Sequence, residues 1–406
     1  MKLIFKSVPS AIQGAIKLEG SKSISNRLLI MQALCPEGFE IDNLSPSDDT
    51  TTLKRLLSSN DTICDVGAAG TTMRFLTAYF AIKNRQHILT GSDRMKQRPI
   101  KLLVDALRDL GADIQYKEKD GYPPIEINGK KLSGGKVTIR ADVSSQYISA
   151  LLMIGPVLEN GLELYLEGKI GSFPYINMTL RTMAKLGIQY KMDGNTIHVY
   201  TGNYIGKPMQ AESDWSAASY FYGICALSKG SEIKISGLFK DSLQGDSVLP
   251  EIYNQLGVVS YFEDDILVLS QVDSYVDELI YDFSNCPDLA QTVAVTCAAL
   301  GVPARFTGLE SLKIKETDRT AALQTELQKF GVSFLPDGEA WVLTGATVAG
   351  NDLTIHTYED HRMAMCFAPL SLKHKNIIIE EPMVVKKSYP SFWSDLSSLG
   401  FESESI

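Results

Sequence analysis

Nothing in this sequence spells a metal site, a disulfide framework or a membrane span. Its six cysteines (Cys35, Cys64, Cys225, Cys286, Cys297 and Cys366) stand far apart, with no close pair of redox or metal-binding spacing. Thiols dispersed in this way read as buried residues in a reducing compartment. The five histidines offer no zinc pattern, because His356 and His361 lie five positions apart, which suits neither one helix face nor a finger. No metal and no other cofactor is expected. The longest nearly apolar run, YISALLMIGPVL, is too short to cross a bilayer and contains Pro156. The opening MKLIFKSVPSAIQG has no apolar core of a secretory signal, so a cytoplasmic location is the expectation. A net charge of −9 disfavours a general nucleic-acid or acidic-membrane surface. Anions must therefore be held by local groups of cations, and the expected partners are small molecules bound by a monomer.

A nucleotide loop is missing too. The stretch GSKSISNR (20–27) ends like a Walker A motif, yet Gly14 lies six positions before Gly20 and Ser21 precedes Lys22. The required Gly, four residues, then Gly-Lys-Ser/Thr is not met.

What the chain does contain is a repeat. Five segments end a helical pattern with a hydrophobe and glycine, then continue as an alternating strand. Their glycines, Gly111, Gly187, Gly257, Gly331 and Gly400, follow one another at 76, 70, 74 and 69 residues. Glycine suits the left-handed position just past a helix end. Four of the five are followed by turn chemistry and a second strand (KDGYPPIEIN, MDGNTIHVY, FEDDILVLS and PDGEAWVLTG), which reads as a hairpin. A second set of helical patterns, strongly apolar after the first turn, starts near Lys22, Gly70, Ser145, Trp215, Asp288 and His361, at spacings of 48, 75, 70, 73 and 73. The expectation is six units, each with one buried and one amphipathic helix plus strands. A chain of 406 residues exceeds one core, so the units divide into two domains of three. The hairpins predict mixed α/β sheets around buried helices rather than a doubly wound parallel sheet.

The unusual residues gather at the starts of the buried helices: Lys22, Ser23 and Arg27; Gly70, Thr71 and Arg74; Ser144, Ser145 and Gln146; Asp214; Asp288; His361 and Arg362. Helix N-termini favour anions. Serine or aspartate there is ordinary capping, but arginine opposes the dipole unless an anion joins it. Further cations stand in loops: Arg94, Lys96 and Arg98 before a helix opened by Pro99 at its first position; Lys313, Lys315 and Arg319 with Glu316 and Asp318, capped by Thr317; and Lys386 with Lys387. Taken together they predict a strongly electropositive cavity for phosphorylated, carboxylated small molecules.

SKSISNR, AGTTMR, MKQRPI, SSQYISALL, SDWSAASYF, KETDR, EDHRMAM and KKSYP, in this order over nearly the whole chain, resemble the motif set of the enolpyruvyl transferase family. The resemblance implies two domains, each a pseudo-threefold repeat of βαβαββ units (an inside-out α/β barrel). It implies residues 1–20 and 213–406 in a discontinuous first domain and 21–212 in a second. Crossovers near 18–21 and 211–214 would let the domains close on shikimate 3-phosphate. The implied reaction moves the enolpyruvyl group of phosphoenolpyruvate to the 5-hydroxyl of shikimate 3-phosphate, through a tetrahedral intermediate, releasing phosphate. By matching motifs, Lys22, Ser23, Arg27, Ser144, Ser145, Gln146, Ser172, Tyr175, Asp288, Ser311 and Lys315 would contact shikimate 3-phosphate. Lys22, Gly70, Arg98, Gln146, Arg319, Arg362 and Lys387 would hold phosphoenolpyruvate, and Lys22, Asp288 and Glu316 would carry the proton transfers. This chain departs from the family pattern at Glu19, Ala68, Phe75 and Ser311. Glyphosate, which resembles phosphoenolpyruvate, is expected to bind if Gly70 leaves the space open.

Two other readings differ in kind. The sister reaction on UDP-N-acetylglucosamine goes with Lys-Asn where Lys22-Ser23 stands, and with a cysteine in the loop GSDRMKQRPI, which has none. A non-enzymatic, clamp-like repeat protein on DNA would need a broadly basic inner surface, against the −9 charge.

Overall fold

Each of the five repeat glycines adopts a positive φ, between +79° at Gly331 and +99° at Gly111. A side chain is strained in that conformation, which explains why glycine returns at every helix-to-strand turn. The computed structural model describes residues 1–142, 144–168, 170–348 and 353–406. Contacts divide the chain into two compact units, Met1–Glu19 with Glu212–Ile406, and Gly20–Ala211.

Within the first unit, three four-stranded sheets share one plan. In the second of them Leu279–Asp282 lies parallel to Ala304–Thr307, followed by Ala340–Thr344 and Ser333–Asp337, each antiparallel to its neighbour. The first sheet repeats this with Gln13–Lys17, Glu232–Ser236, Ile266–Tyr275 and Leu256–Glu263. The third uses Thr354–Ile355, Ile378–Glu380, Lys2–Ser7 and Glu402–Ser405, so the N-terminal strand takes the place of the hairpin's second strand.

The second unit contains two sheets of the same order. One runs Ile63–Asp65, Gln86–Thr90, Ile125–Asn128, Asp113–Tyr116; the other runs Gly135–Arg140, Leu162–Glu167, Thr196–Val199, Tyr190–Asp193. Its third sheet has only two parallel strands, Ile41–Asp42 and Met209–Gln210. This reduced unit is why five glycines, rather than six, mark the repeat. After Asp48–Ser58 the chain passes directly to Ile63–Asp65 of the next sheet, and Ser59, in extended backbone, ends the helix.

Buried helices fill each unit. Trp215–Leu227, Ala290–Leu300 and His361–Phe367 pack on one another in the first unit; Lys22–Leu34, Gly70–Ala81 and Ser145–Ile154 do so in the second. Every residue of Gly70–Ala81 and of Trp215–Leu227 is buried. A helix apolar all round must lie inside a core, and each large apolar side chain buried there contributes about 1.5–3 kcal/mol. The sheets cover these helices, which is the mixed α/β arrangement expected from the hairpins.

Two capping expectations fail. The helix Arg319–Gln328 is capped by Asp318, which accepts from the Thr320 and Ala321 N–H groups, and not by Thr317. Pro99 does not open the next helix, which begins at Lys101 after Ile100. Asp reaches two free N–H groups where a threonine one position earlier cannot.

Candidate functional site

In the first unit a single guanidinium organises the site. Arg319 opens the helix Arg319–Gln328 and is 2% exposed. Its Nε donates to Asp360 Oδ2 at 2.7 Å, Nη1 to Asp288 Oδ1 at 2.9 Å and Nη2 to Glu316 Oε2 at 2.9 Å. Asp360 also caps the helix His361–Phe367, accepting from the Arg362 N–H at 2.8 Å. One fully buried carboxylate thus ties a helix start to the neighbouring repeat.

Asp288 lies between two arginines, with its other oxygen 2.9 Å from Arg362 Nη2 and Lys315 Nζ 3.7 Å away. Burial opposes its charge, but Arg362, Lys315 and Arg319 outweigh burial and hold this carboxyl well below the usual range. Arg362 also donates to the Tyr220 hydroxyl at 3.4 Å. Burial alone would weaken its charge; Asp288 above all reverses this and holds it well above its ordinary value. For Lys315 the charge of Asp288 favours the proton, yet burial with the nearby arginines lowers the ammonium below its ordinary value. Lys387 Nζ stands 3.3 Å from Glu316 Oε1. The expected concentration of positive charge is corrected here. Among the described residues Lys315, Arg319, Arg362 and Lys387 form ion pairs with Asp288, Glu316 and Asp360. Arginine is stable at these helix starts because protein carboxylates join it.

The second unit is built differently. Arg27, one turn into Lys22–Leu34, is buried and makes no ion pair among the described residues. Its Nε donates to Thr179 Oγ1 at 2.7 Å, Nη1 to the Ser23 carbonyl at 2.8 Å, and Nη2 to Ser149 Oγ at 3.0 Å and the Tyr175 carbonyl at 3.3 Å. Burial lowers its pKa to about 10. The Phe75 ring, a departure from the family pattern, lies 5.5 Å from this guanidinium and adds a cation–π contact. Ser172, at φ +52°, precedes the helix Phe173–Lys185 without spending its hydroxyl on a cap. A non-glycine residue held in that region marks a constrained site.

Ser144 caps its own helix by accepting from the Gln146 N–H, and Gln146 Nε2 donates to Thr71 Oγ1 at 3.1 Å, joining two helix starts. Gly70 lies against Arg98; a Cβ there would meet Arg98 Nη1 at 2.6 Å. Lys22 Nζ is 3.6 Å from the buried Asp49.

Each predicted set, for shikimate 3-phosphate, for phosphoenolpyruvate and for proton transfer, draws residues from both units. Lys22, Ser23, Arg27, Gly70, Arg98, Ser144, Ser145, Gln146, Ser172 and Tyr175 belong to the second; Asp288, Ser311, Lys315, Glu316, Arg319, Arg362 and Lys387 to the first. Ser311 sits on the turn Glu310–Ile314, and no hydrogen bond joins it to the Asp288 cluster among the described residues. Arg94, Lys313 and Lys386 are exposed, as solvated charges usually are. Sequence reasoning passed over Asp360, Asp49 and Tyr220. The signal for Asp360 lay in EDHRMAM, where an aspartate stands directly before a helix start.

Similarity to known proteins agrees with this geometry. A family model described as EPSP synthase (3-phosphoshikimate 1-carboxyvinyltransferase) matches residues 6–59 and 52–396. The chain is 49% identical over 399 residues to a 3-phosphoshikimate 1-carboxyvinyltransferase of Bacteroides fragilis strain YCH46, covering 97% of each. It is 36% identical over 417 residues to the enzyme of that name from Shewanella piezotolerans, covering 96% of this chain and 97% of the relative. A solved EPSP synthase from Acinetobacter baumannii superposes with a TM-score of 0.81 at 20% identity, covering 99% of both chains, and so shares the fold. The family model and the full-length relatives make this chain a transferase of the enolpyruvyl class. The chain belongs to the EPSP synthase (3-phosphoshikimate 1-carboxyvinyltransferase) family.

Proposed function

We propose that this protein transfers the enolpyruvyl group of phosphoenolpyruvate to the 5-hydroxyl of shikimate 3-phosphate, releasing phosphate. The observation that carries the reading is the Asp288–Arg319–Glu316 cluster, in which two carboxylates share one buried guanidinium. The reaction needs a group to take a proton from a hydroxyl and another to serve a carbon centre, and such a pair supplies both.

Asp288 takes the hydroxyl proton as the oxygen bonds to C2 of phosphoenolpyruvate, while C3 gains a proton from Glu316, which enters the step as the neutral acid once the bound anion has drawn Arg319 and Lys387 to itself. In the second half Glu316 takes that proton back from the methyl group as the C2–O bond to phosphate breaks. Lys22 donates to the departing phosphate oxygen. Arg98, Gln146 and Gly70 from one unit and Arg319, Arg362 and Lys387 from the other serve phosphoenolpyruvate, the cations holding its carboxylate and phosphate by charge-assisted hydrogen bonds. Arg27, Ser23, Ser144, Ser145, Ser172 and Tyr175 hold the shikimate phosphate; Lys315 and Ser311 serve its ring. A carboxyl held as low as Asp288 is a weak base. An anion that draws Arg362 and Lys315 toward itself leaves Asp288 less stabilised as a carboxylate, so its basicity rises when substrate is present.

The test is release of inorganic phosphate from phosphoenolpyruvate with shikimate 3-phosphate, and separately with UDP-N-acetylglucosamine. Release with the first acceptor is expected; release only with the sugar nucleotide overturns the reading.

A further inference from the structure

The repeats allow positions to be compared. In the first unit, the segment before each amphipathic helix delivers residues to the carboxylate–guanidinium cluster: Lys315, Glu316 and Arg319 from the second repeat, Lys387 from the third. The equivalent segment of the first repeat is the turn Gly245–Val248, ahead of the helix Leu249–Asn254. Its residue is Asp246, which the mechanism above does not use. Asp246 is 3% exposed. Its Oδ2 accepts from the Ser216 hydroxyl, and its Oδ1 is buried with no hydrogen-bond partner. Arg362 Nε is likewise buried and unspent.

The charged and titratable groups facing Asp246 come from every neighbouring repeat: Asp214 beside Ser216, Cys286 and Asp288 from the second, Arg362 from the third. Burial, then the charge of Asp288, push its carboxyl up to about 7, against the pull of Arg362 and the Ser216 hydrogen bond.

We infer that Asp246 is a positioning residue that sets how much of the Arg362 charge a bound anion can use. When neutral, Asp246 leaves the guanidinium to Asp288 and to the ligand. When ionised, it adds a negative charge one helical turn along Trp215–Leu227 from the Tyr220 hydroxyl that Arg362 holds, and competes for Arg362. The sign follows: affinity for the carboxylate of phosphoenolpyruvate is full below neutral pH and falls as pH rises through the titration of Asp246. The inference rests on Arg362 as a ligand of phosphoenolpyruvate.

The experiment follows phosphate release from pH 5.5 to 9, with KM for phosphoenolpyruvate and kcat measured separately, in the parent, Asp246→Asn and Ser216→Ala. In the parent, KM should rise roughly tenfold across neutrality. Asp246→Asn should flatten that rise. Ser216→Ala removes a donor to the ionised carboxylate and should move the rise to higher pH. Titration of the substrate itself is common to all three. A rise in Asp246→Asn equal to the parent's, or no rise in the parent, overturns the inference while leaving the transferase reading intact. If Asp246→Asn does not fold, the Ser216→Ala profile decides: an unmoved profile overturns the inference. A parent that releases no phosphate overturns the transferase reading, and this inference with it.

Discussion

The two units handle buried positive charge in opposite ways. In the first, Arg319 spends its whole guanidinium on Asp288, Glu316 and Asp360. In the second, Arg27 is equally buried but rests on two hydroxyls and two carbonyls. Neutral acceptors satisfy hydrogen bonds without cancelling charge, so Arg27 keeps its full attraction for an incoming anion. The paired cluster gives up part of that attraction and gains carboxylates that can move protons. On the proposed function, the neutral-acceptor site suits phosphate holding and the paired cluster suits proton transfer.

The largest expected effect that would break this contrast is on stability. Arg319→Ala takes from the fully buried Asp360 its arginine partner, and from Asp288 and Glu316 one cation each, and should cost about 3–5 kcal/mol. Arg27→Ala removes a cation whose partners are neutral and should cost only about 1–2 kcal/mol. Equal losses in urea denaturation would show that the two sites do not differ. Activity sharpens the same contrast: Asp288→Ala and Glu316→Ala should each lower kcat by about 10²–10⁴. Arg27→Ala should instead raise KM for shikimate 3-phosphate by roughly 10-fold to 100-fold, read from saturation curves. A kcat loss for Arg27→Ala as large as that of the acids would contradict the division of labour. The smallest effect is steric. In Gly70→Ala the new Cβ would displace the flexible tip of Arg98, raising KM for phosphoenolpyruvate by a few-fold to tenfold with an unchanged melting temperature. An unaltered KM would remove Arg98 from that contact.

Much of the fold was legible because two chemical requirements recur. The turn at Gly111, Gly187, Gly257, Gly331 and Gly400 needs a left-handed residue, and the buried helices need apolar residues all round. The reduced sheet of Ile41–Asp42 and Met209–Gln210 was not legible, because two-residue strands carry no period. The site's cations were legible at helix starts, since arginine there demands an anion. What supplied the anion was not: Asp360 reads in sequence as a plain cap, and only tertiary packing brings Arg319 onto it. The ionic balance of the first unit therefore lay hidden, as did the neutral hydroxyls and carbonyls that serve Arg27 where the sequence suggested an anion.

The sheet that places Lys2–Ser7 between Ile378–Glu380 and Glu402–Ser405 has a consequence for how the polypeptide is made. Lys2 and Ile406 exchange backbone hydrogen bonds in both directions. Lys2–Ser7 pairs with Ile378–Glu380 and Glu402–Ser405, which are made long after it, and Gln13–Lys17 also waits for Glu232–Ser236. Gly20–Ala211 is continuous and can fold during synthesis. The other unit must hold Lys2–Ser7 and Gln13–Lys17 in reserve until their later partners have emerged. Vectorial synthesis thus sets the order of assembly, with the unit that contains Arg27 formed before the unit that contains Arg319.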